Sequence, residues 1–324
     1  MAKYILIGIA AGLASGALYA TVFTGSAAAL LMFYIAPLPL FVAGLGWGAL
    51  SAAAGAIAGA LVLALTIDAK LGFVFAITVA LAPVVLSHMA LRSRPVLDAA
   101  GDPTGDREWY PEGNLVVWTA GMGIAILAVT LVVTGLGPEQ LGELANQYKK
   151  VLDELAAGNE PEMQRMKEQF SNFIDWVPPY IPAISASIWL VSNLVNMLLA
   201  ARLLTASGRS VRPWAPFRKL TLPPATVVAL ILAIICAFLM TGILGLIAKT
   251  AAATLVIVFV LLGLAVFHDM VHGRPMRIVA LVGIYFLLLT FSAMAVFPLV
   301  ALAIAETFLG LRARKASGSN PNST

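Results

Sequence analysis

The feature that most constrains this chain is its series of long apolar runs. An α-helix rises about 1.5 Å per residue, so about 20 apolar residues cross the roughly 30 Å hydrocarbon core of a bilayer. Lipid offers no partner to backbone N–H and C=O groups, and a helix satisfies those groups internally. Hydrophobic residues make up 60% of the 324 residues and charged residues 11%, against roughly a quarter charged in soluble domains. The sequence therefore predicts an all-α integral membrane protein.

Charges, prolines and glycine pairs divide the apolar runs into about ten spans, within a range of eight to ten. The predicted spans are 4–23, 27–46, 48–67, 71–91, 115–135, 180–202, 223–247, 250–268, 277–295 and 297–311. The last two depend on Pro298, which either kinks one long helix or separates two short ones. The prediction is a polytopic transmembrane helical bundle embedded in a lipid bilayer.

The distribution of basic residues predicts the orientation of the bundle. If the N-terminus is cytoplasmic, most of the 20 Lys and Arg residues fall in segments on the inner side, as the positive-inside rule expects. The segment 203–222 contains four of them, and its aromatic residues Trp214 and Phe217 suit a membrane interface. Both termini and this segment are therefore predicted to be cytoplasmic.

Two segments are too polar to span the membrane. Residues 92–114 are rich in Asp, Gly and Pro and are predicted to be an irregular inner loop. Residues 137–179 carry eight acids, and apolar residues recur at spacings of 3 and 4 on both sides of the sequence GNEP, which predicts two amphipathic helices. Because isolated helices of this length are marginal in water, we expect residues 138–176 to form a helical hairpin across the outer mouth of the bundle. There it would cap any cavity lined by the sixth span.

These segments define the predicted organisation of the chain. An N-terminal membrane half, residues 1–136, precedes the extracytoplasmic helical segment, residues 137–179. A C-terminal membrane half, residues 180–312, is followed by residues 313–324, a small and polar stretch that is predicted to be a disordered cytoplasmic tail.

Small residues recur at four-residue spacing in the first and third spans. The residues of the two stripes are Gly8, Gly12, Gly16, Ser51, Gly55 and Gly59. Such stripes let helix backbones approach closely in lipid, where van der Waals packing drives association. They indicate packing within the bundle, and the alternative is docking of a separate membrane subunit.

Polar residues follow one broad face of the sixth span. They are Ser185, Trp189, Ser192, Asn193 and Asn196. An amide without a partner in hydrocarbon costs several kcal/mol, so the asparagines are expected to face protein or water. Two interpretations remain open, which are hydrogen bonding between helices and the polar wall of a ligand cavity.

One acid, Glu306, lies well inside an apolar run. An intramembrane carboxylate is a functional candidate by default, and the structural alternative is neutralisation by Arg312 or Arg314. His268 and His272 share a helical face with Asp269 beside them, but a hydrated helix end explains these residues without a metal. We therefore expect no metal site.

The sequence contains no motif for catalysis or for energy coupling. The stretch GLIAKT at 245–250 lacks the glycine that a phosphate loop places before its lysine, and no nucleophile elbow is present. The single cysteine, Cys236, excludes a disulfide within the chain. We expect no enzymatic activity, no cofactor and no nucleic-acid partner.

Several motifs resemble the YybS-like family of bacterial multi-pass membrane proteins. They are YPEGNL at 110–115, the outer amphipathic segment, PFRKLTLP at 216–223 and AETFLGLRAR at 305–314. That family is grouped by fold with the S components of energy-coupling-factor transporters and with the rod-shape protein MreD. The resemblance implies a helical bundle in the bacterial inner membrane, with a ligand cavity and a partner subunit docked on small-residue helix faces. In S components an alanine motif on the first helix meets that partner, and Ala10 and Ala14 have its spacing.

Two functional hypotheses follow. The first is an inner-membrane protein that binds or transports a small molecule or lipid, in the manner of an S component. The alternative is a scaffold of envelope, cell-shape or division machinery that transports nothing. About ten predicted spans, rather than the six of an S component, argue against simple vitamin uptake.

Overall fold

The computed structural model describes residues 1–99, 101–155, 174 and 177–318. The described chain is built almost entirely of helices, which confirms the predicted all-α class. The α-helices are α1 (Ala2–Ala20), α2 (Ala27–Ile35), α3 (Leu38–Trp47), α4 (Ala49–Thr66), α5 (Ala69–Phe75), α6 (Leu81–Ala90), α7 (Glu112–Thr134), α8 (Pro138–Leu155), α9 (Ile181–Ala206), α10 (Ala225–Leu239), α11 (Gly242–Met270), α12 (Arg277–Thr290), α13 (Ser292–Leu309) and α14 (Leu311–Gly318).

Within the described ranges, seven helical stretches are long and apolar enough to cross a membrane. They are Ala2–Thr24, Ala27–Trp47, Ala49–Thr66, Ala69–Ala90, Glu112–Thr134, Pro178–Ala206 and Gly242–Met270. Three shorter apolar helices are Ala225–Leu239, Arg277–Thr290 and Met294–Leu309. Together these stretches correspond to the ten predicted spans, so a polytopic helical bundle is confirmed.

Two predicted span boundaries were wrong. The seventh span was expected to end at 247, but α10 ends at Leu239, and α11 then continues through Lys249. Gly242, at φ 63°, allows the turn between these helices. Lys249 is exposed, and a lysine tolerates such a position because its long stem can carry the ammonium toward water. The charge therefore does not end the helix.

The second wrong boundary concerns the last two spans. The chain breaks at Phe291, where φ is −131° and ψ is 57°, and Pro298 lies inside α13 without ending it. Residues 277–309 therefore form two helices that meet at Phe291, rather than a single helix kinked at the proline.

The predicted irregular loop 92–114 instead contains an antiparallel hairpin. Strands β1 (Ser93–Leu97) and β2 (Pro103–Trp109) pair with Ser93 opposite Trp109 and Arg94 opposite Glu108. The Asp98 carboxylate accepts a hydrogen bond from the Asp102 N–H at 2.9 Å, and this bond closes the turn. Asp and Gly therefore act here as hairpin turn residues between two short strands.

The amphipathic segment 137–179 begins, as predicted, with a helix. In α8, Leu141 is buried against Leu131 and Leu246, near the ends of α7 and α11. Leu144, Tyr148 and Val151, which recur with Leu141 at spacings of 3 and 4, are exposed. The second predicted helix of the hairpin lies outside the described residues apart from Ile174, which is helical.

The C-terminal end is helical further than expected. Helix α14 runs to Gly318, although residues 313–324 were predicted to be disordered. Residues 319–324 lie outside the described part of the chain. Leu311 to Lys315 include three basic residues among good helix formers, and that composition favours extension of the helix.

The packing divides the chain into two compact units. One comprises Met1–Met122, Leu190–Pro223 and Val260–Thr324, and the other comprises Gly123–Trp189 and Pro224–Phe259. Each unit therefore combines segments from both predicted membrane halves. In the first unit a core forms around Phe75, Leu40 and Tyr19, which come from α5, α3 and α1.

Candidate functional site

The second membrane span is interrupted near its middle. Helix α2 ends at Ile35 and α3 begins at Leu38, and prolines occupy positions 37 and 39. A proline has no N–H to donate and disturbs the preceding helical turn, so backbone carbonyls lose their usual partners. In lipid those carbonyls must be satisfied by other groups. We call residues 34–38 the α2/α3 break.

Side chains from two other helices bond to the carbonyls at this break. The Asn196 Nδ2 donates to the Tyr34 carbonyl at 2.8 Å, and the Ser192 hydroxyl donates to the same oxygen at 3.0 Å. The Ser15 hydroxyl of α1 donates to the Ala36 carbonyl at 2.6 Å. Helices α1 and α9 therefore hold the α2/α3 break, and the sixth-span residues Ser192 and Asn196 act as interhelical hydrogen-bond donors.

Within the described part of the chain, the Asn196 side-chain amide is hydrogen-bonded through its nitrogen but not through its oxygen. Its Nδ2 also donates to the Ser192 carbonyl at 2.8 Å, so the surrounding acceptors fix which end of the amide faces the break. The Oδ1 is buried and accepts no hydrogen bond from the described residues. An unsatisfied buried acceptor costs roughly 1–3 kcal/mol. This oxygen is therefore a place where a donor from a bound molecule would be stabilising.

The other predicted wall residues are distributed along α9. Asn193 is buried, with 1% of its surface exposed, and lies in the same turn as Asn196. Trp189 is half-buried, with its ring against Gly123. Ser185 is exposed and lies three helical turns, about 16 Å, from Asn196. Of the predicted wall residues, Ser192 and Asn196 contact the α2/α3 break.

The predicted small-residue stripes pack against each other. A Cβ added at Gly8 would meet the Ser51 carbonyl, one at Gly12 would overlap the Gly55 carbonyl, and Gly16 lies beside Gly59. The sequence numbers rise together, so α1 and α4 run parallel. This is the direction expected for the first and third crossings of a membrane. Ala10 and Ala14 are exposed on a different side of α1.

A second polar cluster surrounds the basic loop (residues 207–224), the segment between α9 and α10. Arg212 is only 3% exposed. Its guanidinium donates to the Ala90 carbonyl at 3.0 Å and to the Tyr110 carbonyl at 2.9 Å, and it forms an ion pair with Glu112. The same guanidinium lies 4.5 Å from the Trp214 ring centroid. One arginine therefore joins the basic loop to the ends of α6, β2 and α7.

The charge of Arg212 persists despite its burial. Burial lowers the pKa of its guanidinium, and the neighbouring Glu112 carboxylate opposes that shift. The ordinary pKa of arginine is so high that the side chain remains protonated at neutral pH. Glu112 also accepts a hydrogen bond from the Ala215 N–H at 3.3 Å. The Arg212–Glu112 ion pair therefore stays charged and connects the basic loop to the start of α7.

Further contacts fasten the remainder of the basic loop. The Thr221 carbonyl lies against Gly113, where any side chain would overlap it. Arg218 and Lys219 lie 3.6 and 3.8 Å from the Asp269 carboxylate at the end of α11. The predicted inner segments 92–114 and 203–222 are therefore in contact with each other, and the second also contacts the end of α11.

Glu306 also belongs to this cluster. Its carboxylate accepts a hydrogen bond from the Arg312 guanidinium at 2.8 Å. Arg312 in turn donates to the carbonyls of Arg218 and Leu220 at 2.7 and 2.9 Å. The intramembrane acid is thus paired, and its arginine ties the C-terminal end of α13 to the basic loop.

The linkage through Arg212 was missed at the level of sequence. Two sequence signals could have indicated it, which are Glu112 in EWYPEGN at 108–114 and Arg212 in VRPW at 211–214. Both lie close to aromatic residues on the predicted inner side. His268 hydrogen-bonds the Tyr285 hydroxyl at 3.1 Å. Across the described residues, no three His, Cys, Asp or Glu side chains are grouped so that they could hold a metal ion.

Comparison with known proteins agrees with the observed architecture. Neither the curated proteins nor the solved structures include one that matches this chain. Residues 13–306 match the model of the family described as Predicted membrane protein (DUF2232). That match covers most of the chain, including the α2/α3 break, the basic loop and Glu306. The chain belongs to this family of membrane proteins.

Proposed function

We propose that the chain binds a small molecule or lipid beside the α2/α3 break and acts as a transporter, or as the membrane subunit of one. The observation that carries the proposal is the buried Asn196 Oδ1, an acceptor with no donor among the described residues. A helix interrupted near the middle of a span, next to polar side chains, is a common design for substrate sites in transporters. A ligand with a hydroxyl, amine or amide donor would complete the hydrogen bonding there.

The resemblance to YybS-like proteins, and through them to S components, supports the same proposal. The scaffold alternative has less support, because the two small-residue stripes pack against each other and leave no free face on them for a partner to dock. A partner subunit would instead meet the exposed face that contains Ala10 and Ala14. The proposed role involves no catalytic step and no cofactor.

Ligand binding can be tested by thermal stability of the purified protein. A compound that binds the folded state stabilises it by RT ln(1 + [L]/Kd), about 2.7 kcal/mol at 100 times Kd. We expect metabolites or lipids that raise the Tm to lose this effect in Asn196→Leu. The Ser185→Ala variant, changed at an exposed position of the same helix, is expected to respond like the wild type.

The interpretation depends on the unliganded variants. Asn196→Leu removes the hydrogen bonds to the Tyr34 and Ser192 carbonyls but also the unsatisfied Oδ1, so the two effects partly offset and its own Tm is expected to change by an amount corresponding to about 1 kcal/mol. Ligand-induced shifts are therefore compared with each variant's own baseline. A shift of the same size in Asn196→Leu and in the wild type would reduce Asn196 to a structural donor and contradict the proposed site.

We further propose that the cluster around the basic loop faces the cytoplasm, with the protein in the bacterial inner membrane. The contacts of the basic loop with segment 92–114 and with the end of α11 support a position on the same side of the membrane, and the excess of basic residues favours the cytoplasm. In a background with Cys236 replaced by alanine, a cysteine at Ser207 is expected to resist an impermeant thiol reagent in intact cells. A cysteine at Asn146, exposed on α8, is expected to react. The reverse pattern would invert the topology.

A further inference from the structure

A cleft lies at the base of the hairpin, where its strands join α6 and α7. Its volume is about 380 Å³, and it is lined by Arg92, Arg94, Glu108, Trp109 and Tyr110, among others. Ligand sites in proteins commonly occupy roughly 300–1,000 Å³. The cleft is thus large enough for a compact polar group, and the proposed mid-span site has no part in it.

The charges that line the cleft leave one cation available. The Arg94 guanidinium donates to the Glu108 carboxylate at 2.7 Å, and this contact lowers the pKa of Glu108, which therefore stays ionised and balances Arg94. The Arg92 guanidinium is exposed and has neither a hydrogen bond nor an ion pair with the residues that the structure describes. The cleft therefore carries a net positive charge from Arg92.

Aromatic side chains complete the lining. Trp109 is half-buried, and its ring lies 5.8 Å from the Arg212 guanidinium. The Tyr110 hydroxyl accepts a hydrogen bond from the Trp118 indole N–H at 3.0 Å. Trp and Tyr are enriched at the level of lipid headgroups because their rings are amphipathic. Since α6 and α7 are both candidate membrane spans, the base of the hairpin lies where a headgroup would be.

The hairpin also separates its charges along its length. Arg92 and the paired Arg94 and Glu108 lie at the base, which leaves the charge of Arg92 there, and the acids Asp98 and Asp102 lie at the turn. Such a distribution favours an anion at the base and disfavours one at the turn. Guanidinium groups bind phosphate through paired N–H donors, which adds geometric specificity to the charge attraction.

We propose that this cleft binds a phosphate ester, with Arg92 as the principal contact and Trp109 and Tyr110 at the lipid side. The phosphate belongs either to the headgroup of an anionic phospholipid or to a soluble phosphorylated compound. The position between two membrane spans favours the lipid, because basic pockets beside cytoplasmic helix ends bind anionic headgroups.

The test uses the full chain in a maltoside detergent at constant ionic strength. Dihexanoylphosphatidylglycerol, dihexanoylphosphatidylcholine and inorganic phosphate are each titrated while the Tm is followed. We expect phosphatidylglycerol to raise the Tm saturably and phosphatidylcholine to have a weaker effect. In Arg92→Gln the half-saturating concentration of phosphatidylglycerol is expected to rise about tenfold, since a hydrogen-bonded charge contributes on that scale.

Two further variants make the result specific. Arg274→Gln removes an exposed cation elsewhere on the predicted inner side and is expected to bind like the wild type. Arg92→Lys keeps the charge but loses the paired donors, so it is expected to be intermediate. If inorganic phosphate produces an Arg92-dependent shift and the lipid adds nothing, the ligand is a soluble phosphate ester. Titrations that are equal in Arg92→Gln and Arg274→Gln for every compound would overturn the site.

Discussion

Replacement of Gly12 by leucine is expected to destabilise the protein more than any other single change in the first span. The Gly12 backbone lies against the Gly55 carbonyl, and even a Cβ at this position would overlap it. The clash is with backbone rather than with a flexible side chain, so α1 and α4 must separate. Overpacking of a close contact costs roughly 1–3 kcal/mol and occasionally more, and we expect about 3 kcal/mol here.

The same helix offers a matched control for this prediction. Ala10→Leu adds a similar volume at an exposed position of α1, where it meets lipid or detergent and is expected to be nearly neutral. Unfolding of both variants in a denaturing detergent, followed by circular dichroism, measures the difference. Equal stability of Gly12→Leu and Ala10→Leu would mean that the α1–α4 contact is not as close as described.

Replacement of Arg212 by methionine is expected to have an effect of comparable size. It leaves Glu112 without its cation and the carbonyls of Ala90 and Tyr110 without their donor. Removal of one member of a buried ion pair costs about 3–5 kcal/mol, and since the remaining Glu112 carboxylate is partly exposed, we expect the lower end of that range here. Arg212→Lys is expected to restore only part of the loss, since one ammonium cannot reach acceptors that a planar guanidinium reaches together.

A double substitution separates the contribution of the Arg212–Glu112 ion pair to stability from the contribution of the other Arg212 contacts. Glu112→Gln removes the charge that Arg212→Met leaves behind, so the two changes together should cost less than the sum of the single effects. Arg202→Met, at an exposed position of α9, serves as the control and is expected to shift stability by less than about 0.5 kcal/mol. Additive effects of the Arg212 and Glu112 changes would show that the two side chains do not interact.

The sequence was most informative where one physical requirement decides the structure. Apolar runs divided at charges, prolines and glycine pairs indicated the membrane helices, because a helix satisfies its own backbone hydrogen bonds in lipid. The four-residue spacing of Gly8, Gly12 and Gly16 likewise identified a close helix contact, although not the helix on the other side. For Glu306 the sequence offered neutralisation by Arg312 or Arg314 as the structural alternative to a functional role, and the carboxylate is paired with Arg312.

The sequence was least informative where distant segments meet. Arg212 lies 122 residues from Ala90 and 100 from Glu112, and no local pattern relates such positions. The α2/α3 break depends on Pro37 and Pro39, whose effect on the helix can be expected. The donors that compensate for it come from α1 and α9, and only the packing identifies them. The hairpin at 93–109 was missed because Asp, Gly and Pro also occur in irregular loops.

The long separation of Arg212 from its partners has a consequence for biosynthesis. Chains grow from the N-terminus at about 5–20 residues per second, so residue 212 follows residue 112 by roughly 5–20 s. During that interval the Glu112 carboxylate has no guanidinium beside it and must remain hydrated. Arg312, which donates to the carbonyls of Arg218 and Leu220, emerges about 100 residues later still. This end of the bundle is therefore closed in stages, and the hydrogen bonds of Arg312 form after those of Arg212.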